Sequence, residues 1–342
     1  MVRSGNKLKR ILSIAPLASA VAWAQGVFAQ VPQSVFAPAG PVAQTQLNLL
    51  SLTLWIAIGI FVVVGSILLY TVIRFRARPG DPIPKQIQGN TTLEVIWTVI
   101  PIIILIVIAV PTVRDAFGLA SPPPVDDVLN VRVIGYQWWW AFEYPDLGIV
   151  TANELRVPVG KVVNLTLESN DVIHSFWVPR LAGKMDVIPN RVNTMWFVAE
   201  EAGIYYGQCA EFCGTSHANM RFRVIAQPEN EFHAWVEGRR AVEAFSPAND
   251  LVARGQAIFE STGTCFACHN VDGTAANGQV GPDLTDFASR TTIAAGLLAN
   301  TPENLARWLR DPQAVKPGAL MPRLPLSDDD IQALTAFLYS LE

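Results

Sequence analysis

The chain has 342 residues, 51% hydrophobic and 16% charged, with a formal net charge of −4 and four cysteines. That length exceeds one compact domain and suits two or three. The slight acidity and the lack of any basic stripe exclude a nucleic-acid partner, because nothing would neutralise phosphates.

The N-terminus carries Arg3, Lys7, Lys9 and Arg10 with no acid, and an apolar run follows from Ile11 to Ala24. Ala22-Trp23-Ala24 and Val27-Phe28-Ala29 both fit small-residue cleavage sites, so residues 1–29 read as a secretory signal peptide. An uncleaved anchor is the alternative; the short run and Pro16 speak against it.

Leu49 to Ile73 is an uncharged run of 25 residues, enough to cross roughly 30 Å of hydrocarbon. Val95 to Val113 is a second run, of 19 residues, containing Pro101 and Pro111. Arg74, Arg76, Arg78 and Lys85 lie between them against Asp81 and Glu94. An excess of Lys and Arg marks a cytoplasmic loop. Residues 45–117 are therefore expected to form a two-helix transmembrane hairpin with both ends on the outer side of a bacterial inner membrane. Glu94 sits at the cytoplasmic edge of the second span. It reads either as an interfacial charge reaching for water or as a proton-path entrance, since ionisable groups at membrane depth are often functional.

Residues 118–226 change character. Ser121-Pro-Pro-Pro124 is a stiff exit from the membrane. Asn130 to Glu143 alternates in part, and Val163, Leu165 and Leu167 share one face of a period-two run. Asn193 to Val198 is β-rich, and Gly203 to Tyr206 leads into two cysteines. Short strands at this spacing predict an all-β, cupredoxin-like Greek-key sandwich.

The loop after Tyr206 holds Cys209, Cys213, His217 and Met220 as C-x3-C-x3-H-x2-M. His174 is the other histidine of this region. Thiolate, imidazole and a weak axial Met are the ligands of cupredoxin-type copper. Such sites use one cysteine; two, four apart, suit two coppers bridged by two thiolates. Zinc and a plain disulfide are the competing readings. Zinc wants four strong ligands and has little use for Met, and a disulfide needs neither His nor Met. In Trp138-Trp139-Trp140, core or interface packing accounts for at least one ring.

Residues 227–249 read as a linker with a short mixed-charge helix from Glu229 to Phe245, on which His233 is a surface residue. Residues 250–342 then read as all-α. A helix from about Leu251 to Glu260 leads into Cys265-Phe-Ala-Cys-His269, the covalent attachment pattern of a c-type haem. Cys265 and Cys268 would bond the vinyl groups and His269 the iron. Redox-active cysteines beside an incidental His are the alternative. Met321, 52 residues after His269, completes the His/Met axial pair that raises the potential. Thr301-Pro302 starts one helix and Ser327 caps another, with Asp328, Asp329 and Asp330 at its positive end. The eleven acids from Asp250 to Glu342 stand against six Lys and Arg, a net of −5. That surface would steer a basic soluble donor, or is simply solvated.

These motifs resemble two families. Residues 45–226, through Leu93-Glu-Val-Ile-Trp97, Gly135-Tyr-Gln-Trp-Trp-Trp140, the segment around His174 and Cys209-Ala-Glu-Phe-Cys-Gly214, resemble subunit II of the respiratory haem-copper oxidases. The tail resembles a class I cytochrome c, and the fusion of the two marks the caa-type oxidases. The resemblance implies a dinuclear copper centre with Cys209 and Cys213 bridging. His174 and His217 would bind one copper each, with Met220 weak and Glu211 binding through its carbonyl. The Glu211 side chain would face a magnesium at the border with the catalytic subunit. Trp138 matches the position where electrons arrive from a separate cytochrome c, and Asp186 matches a family segment, although a solvated loop carboxylate suffices for it. Gly281-Pro-Asp-Leu284 resembles the segment whose Pro carbonyl orients the proximal His. The implied partners are a large polytopic subunit I, other oxidase subunits and a soluble or membrane cytochrome c. Two rival functions share the copper motif: the dicopper subunit of a nitric oxide reductase, and a free-standing membrane-anchored redox carrier. Nitrous oxide reductase also carries such copper, but no large repeat domain precedes it here.

Overall fold

The computed structural model describes residues 32–241 and 243–341, so the expected signal peptide, 1–29, lies outside the described residues. Two long apolar helices come first, Pro41–Arg74 and Thr91–Leu119. Both are long and apolar enough to cross a membrane, and their most apolar stretches are entirely unburied by protein. Asn90 starts the second helix: its side chain accepts from Leu93 N–H at 3.2 Å, and Glu94 accepts in turn from Asn90 N–H at 3.2 Å. Pro101 and Pro111 sit inside this helix, which membrane spans tolerate.

The first helix has 34 residues, so it is about 51 Å long at 1.5 Å per residue and outruns the hydrocarbon. Its N-terminal end is built into the β-domain. Ala39 N–H donates to Arg180 O at 2.7 Å, Arg180 Nε to Ala37 O at 2.8 Å, and Val42 and Ala43 are buried. Trp196 Nε1 caps the end of the second helix by donating to Leu119 O at 3.1 Å. The hairpin and the sandwich are thus tied at two points.

The sandwich has two five-stranded sheets. The first runs β3 (Ile149–Ala152), β2 (Trp139–Tyr144), β1 (Val128–Tyr136), β5 (Val162–Ser169) and β8 (Asn193–Val198). The second runs β4 (Glu154–Pro158), β10 (Arg221–Gln227), β9 (Gly203–Cys209), β6 (His174–Trp177) and β7 (Met185–Val187). The predicted face of Val163, Leu165 and Leu167 is fully buried, and β1 pairs in parallel with β5, Val131 facing Leu165. Trp140, Phe142, Phe176 and Phe222 fill the space between the sheets. The run Asn130–Glu143 is two antiparallel strands, not one, turning at Gln137 and Trp138.

The short helix expected in the connecting segment is present as Glu229–Arg240, stopping before Phe245. Phe232 and Val236 bury against the sandwich core, and His233 is exposed as expected. The tail is helical around its own core: Asp250–Ala257 with a π turn to Thr262, Pro302–Arg310 and Asp328–Leu338, beside a two-residue strand pair. Asn249, Thr301 and Ser327 cap the three helices, Ser327 in a full capping box with Asp330.

The tail is docked on the sandwich. Glu154, 2% exposed, accepts from the N–H and hydroxyl groups of Thr291 and Thr292. Arg223 donates to Gly296 O, Arg221 N–H to Ala295 O, and Ser216 Oγ to Pro317 O. Below them Asp286 pairs with Arg290 at 2.8 Å, with Arg239 of the connecting helix 3.9 Å away. Burial alone would raise the Asp286 pKa. The Arg290 and Arg239 charges outweigh it and hold the carboxyl at about 2, against 3.8 ordinarily. A depressed folded pKa stabilises above the unfolded value, and the benefit is lost as pH falls from 3.8 through about 2. We expect about 2 kcal/mol of domain stability to vanish over that window. Denaturant melts of the haem band at pH 5 and pH 2 would measure it, and Asp286→Asn should flatten the difference.

Candidate metal centres

The loop between β9 and β10 brings the predicted copper ligands together. Cys209 and Cys213 are buried and free, their sulfurs 3.7 Å apart, far beyond the ~2.05 Å of a disulfide. His174 Nδ1 lies 4.0 Å from Cys209 Sγ, and His217 Nδ1 lies 3.6 Å from Cys213 Sγ. Met220 Sδ is 3.8 Å from Cys213 Sγ, and the Glu211 carbonyl 3.2 Å from Cys209 Sγ. Each sulfur therefore has one imidazole beside it. His174, Cys209 and Cys213 could hold one ion among them.

His174 enters from β6, between β9 and the edge strand β7 of the second sheet. Its Nε2 donates to Asp171 Oδ1 at 2.8 Å, which leaves Nδ1 turned to the sulfurs. Gly135 makes room for the ring: a Cβ there would lie 2.7 Å from His174 Cδ2. Asp171 also accepts from Gln137 N–H at 2.6 Å. Nothing in the sequence marks Asp171 except its place three residues before His174.

The two thiols titrate as a pair. The hydrogen bond between them, helped by His174, draws the Cys209 pKa down, while the same bond and burial push Cys213 up. The pair releases one proton readily and keeps the other until a cation arrives. Two cysteine sulfurs, two imidazoles and a thioether, linked in a chain of contacts of 3.6 to 4.0 Å, form the soft donor set that copper selects.

Glu211 and Phe212 stand exposed at the loop tip, Phe212 at 76%. The Glu211 carboxylate belongs to no cluster of possible ligands among the described residues. Magnesium at this position would need ligands from another chain. Glu94 holds the helix-start bond described above. Asp186, on β7, is exposed.

The second site is a cleft in the tail domain lined by Cys265, Cys268, His269 and Met321. His269 Nδ1 donates to Pro282 O at 2.8 Å, so Nε2 faces the cleft. Burial lowers the His269 pKa despite that bond, which keeps the imidazole in the neutral form that ligates. Gly281 leaves room for the ring, since its Cβ would lie 2.7 Å from His269 Cε1. Two thiols, an oriented imidazole and a thioether on the wall of one cleft fit a covalently held haem.

Trp138 lies between the sites. It is 8% exposed, its Nε1 donates to Cys213 O at 3.0 Å, and it also lines the haem cleft. Gln137 Nε2 donates to the same carbonyl at 2.7 Å. Trp140 is core, and Trp139 stacks on Tyr136 at 4.3 Å. The tail domain covers the position where the resemblance puts an external donor.

Comparison with known proteins agrees over nearly the whole chain. The family model for the cytochrome c oxidase subunit II transmembrane domain matches residues 30–114, that for its periplasmic domain residues 147–227, and that for cytochrome c residues 252–342. Cytochrome c oxidase subunit 2 of Alkalihalophilus pseudofirmus is 41% identical over 333 residues, covering 96% of both chains. The chain belongs to the cytochrome c oxidase subunit 2 family. The subunit 2 of Bacillus sp. strain PS3 is 42% identical, covering 90% of this chain and 91% of that one. That of Bacillus subtilis is 38% identical, covering 90% and 92%. With its C-terminal cytochrome c domain, the chain is a caa-type member: a membrane-bound subunit of an oxidoreductase complex. The relatives favour the oxidase over the nitric oxide reductase and the free-standing carrier.

Proposed function

We propose that electrons from an external cytochrome c enter at a haem c held by Cys265, Cys268, His269 and Met321. They cross by Trp138 to a dinuclear copper centre held by Cys209, Cys213, His174, His217, Met220 and the Glu211 carbonyl. They then leave for the catalytic subunit, where oxygen becomes water and protons are translocated. When bound, the two groups supply one-electron redox couples. The protein residues do the rest. Asp171 and Pro282 fix the tautomers and aim of His174 and His269. The sandwich buries both cysteine sulfurs, and the docked tail keeps water off Trp138. The observation that carries this reading is Trp138, which touches the copper loop through Cys213 O and forms a wall of the haem cleft.

In this reading residues 45–117 anchor the chain, 118–226 carry copper, 227–249 connect, and 250–342 carry haem. Both soluble domains face the periplasmic side of a bacterial inner membrane. The exposed Glu211 and Phe212 face the polytopic subunit I. Glu94 is proposed as a proton-path entrance on its position alone, its bond to Asn90 N–H holding the carboxylate at that edge.

Electron paramagnetic resonance of the purified, oxidised complex tests the copper assignment. Hyperfine splitting from two equivalent coppers is expected. Splitting from a single cupric ion, or zinc in place of copper, would sink it. Oxygen, rather than nitric oxide, should be the gas consumed.

A further inference from the structure

Lys316 is the one lysine between residues 250 and 342. It is 4% exposed, and its Nζ donates to Trp138 O at 2.5 Å and to Ala294 O at 3.2 Å. Those two bonds leave one of its three N–H donors free. Its electrostatic neighbours are Cys213 and Arg221, with no carboxylate among them. Arg221 lies on the sandwich side and donates to Ala218 O at 3.1 Å. The other cation on the wall of the haem cleft, Arg290, is already paired with Asp286 at 2.8 Å. Lys316 lines that cleft together with His269 and Met321.

A buried ammonium without an anion is costly. Here burial, with a smaller push from Arg221, outweighs Cys213 and draws the lysine pKa down to about 7. The cleft's expected ligand carries two carboxylates of its own, the haem propionates. We propose that Lys316 is the counter-ion and positioning residue of one haem propionate, its third N–H donating to that carboxylate while the other two hold the carbonyls of Trp138 and Ala294. This rests on the haem assignment above. It also has a consequence for the path. Trp138 Nε1 donates to Cys213 O, so residues 316, 138 and 213 fix the propionate edge of the haem against the copper loop. Lys316 would then set the haem's register against Trp138 as well as its charge.

The test uses the purified oxidase with ¹⁵N in its lysine side chains and ¹³C in the propionate carboxyls. Dipolar recoupling is expected to place one propionate at ion-pair contact with a lysine nitrogen, about 4 Å. No such coupling in a haem-loaded sample overturns the pairing. A sample without covalent haem overturns the haem assignment itself, and a visible spectrum recognises that outcome first. Variants give an independent reading. Lys316→Gln should lower the haem midpoint potential, because an uncompensated carboxylate favours ferric iron, and Lys316→Arg should restore it. An unchanged potential in Lys316→Gln, with the Met-to-iron charge-transfer band intact, also overturns the proposal.

Discussion

Cys213→Ser is expected to give an oxidase that keeps its haem, keeps its fold and barely consumes oxygen. The side chain loses little volume, so the buried loop can close around the hydroxyl. Trp138 and Gln137 bond the backbone carbonyl of residue 213, not its side chain, so the junction with the tail survives. The sulfur itself has no substitute. It sits 3.7 Å from Cys209 Sγ, 3.6 Å from His217 Nδ1 and 3.8 Å from Met220 Sδ, so three members of the donor set lose a neighbour with it. A serine hydroxyl is hard, stays protonated and cannot share electron density between two copper ions. Copper affinity should fall by more than the roughly 10–100-fold that follows loss of a group that merely orients a ligand. During turnover with a cytochrome c donor the haem should stay reduced, because its electrons have nowhere to go. Metal analysis, paramagnetic resonance and the steady-state haem spectrum check this together. A two-copper signal with normal oxygen uptake in the variant would refute the assignment of Cys213.

The chemistry of the chain was legible because it sits in short spacings. Cys265, Cys268 and His269 are adjacent or nearly so, and four of the copper-loop residues fall within twelve positions. The caps at Thr301 and Ser327 and the buried face of Val163, Leu165 and Leu167 were equally readable, since they follow from local periodicity and hydrogen-bonding chemistry. The strand pair at Asn130–Glu143 was blurred, because partial alternation does not mark a turn that lacks Gly or Pro. The connecting helix was readable as a helix but not as part of the core, since its buried apolar residues, Phe232 and Val236, are few; only the sandwich against which they lie makes them core. What the sequence hid altogether was the junction. Glu154 meets Thr291 and Thr292 across 137 and 138 positions, and Lys316 meets Trp138 across 178. No spacing rule spans such distances, and a lone Glu or Lys reads as surface until the packing buries it.

That hidden junction yields the second large effect. Glu154 lies at the start of β4, paired with β10 beside Arg223, and its carboxylate accepts four bonds from the tail. Thr291 N–H and Oγ1 donate to Oε1 at 3.0 and 2.7 Å, and Thr292 N–H and Oγ1 at 2.8 and 2.7 Å. Glu154→Ala strands two backbone N–H groups and two hydroxyls in a buried interface. Each buried donor left unmet costs about 1–3 kcal/mol, less wherever water enters. A net loss of about 3 kcal/mol in docking would shift the docked-to-free ratio by roughly 10². Neither metal site includes Glu154, so the copper resonance and the haem potential should stay as they are. Haem-to-copper electron transfer after flash reduction of the haem should slow and become biphasic, as a fraction of tails leaves Trp138. Amide exchange at residues 291 and 292 should quicken in the same variant. Glu154→Gln should fall between, since its carbonyl still accepts while its NH₂ faces donors and repels them. Single-phase transfer at the native rate in Glu154→Ala, with exchange unchanged, would show that other contacts hold the haem over the copper loop without this carboxylate.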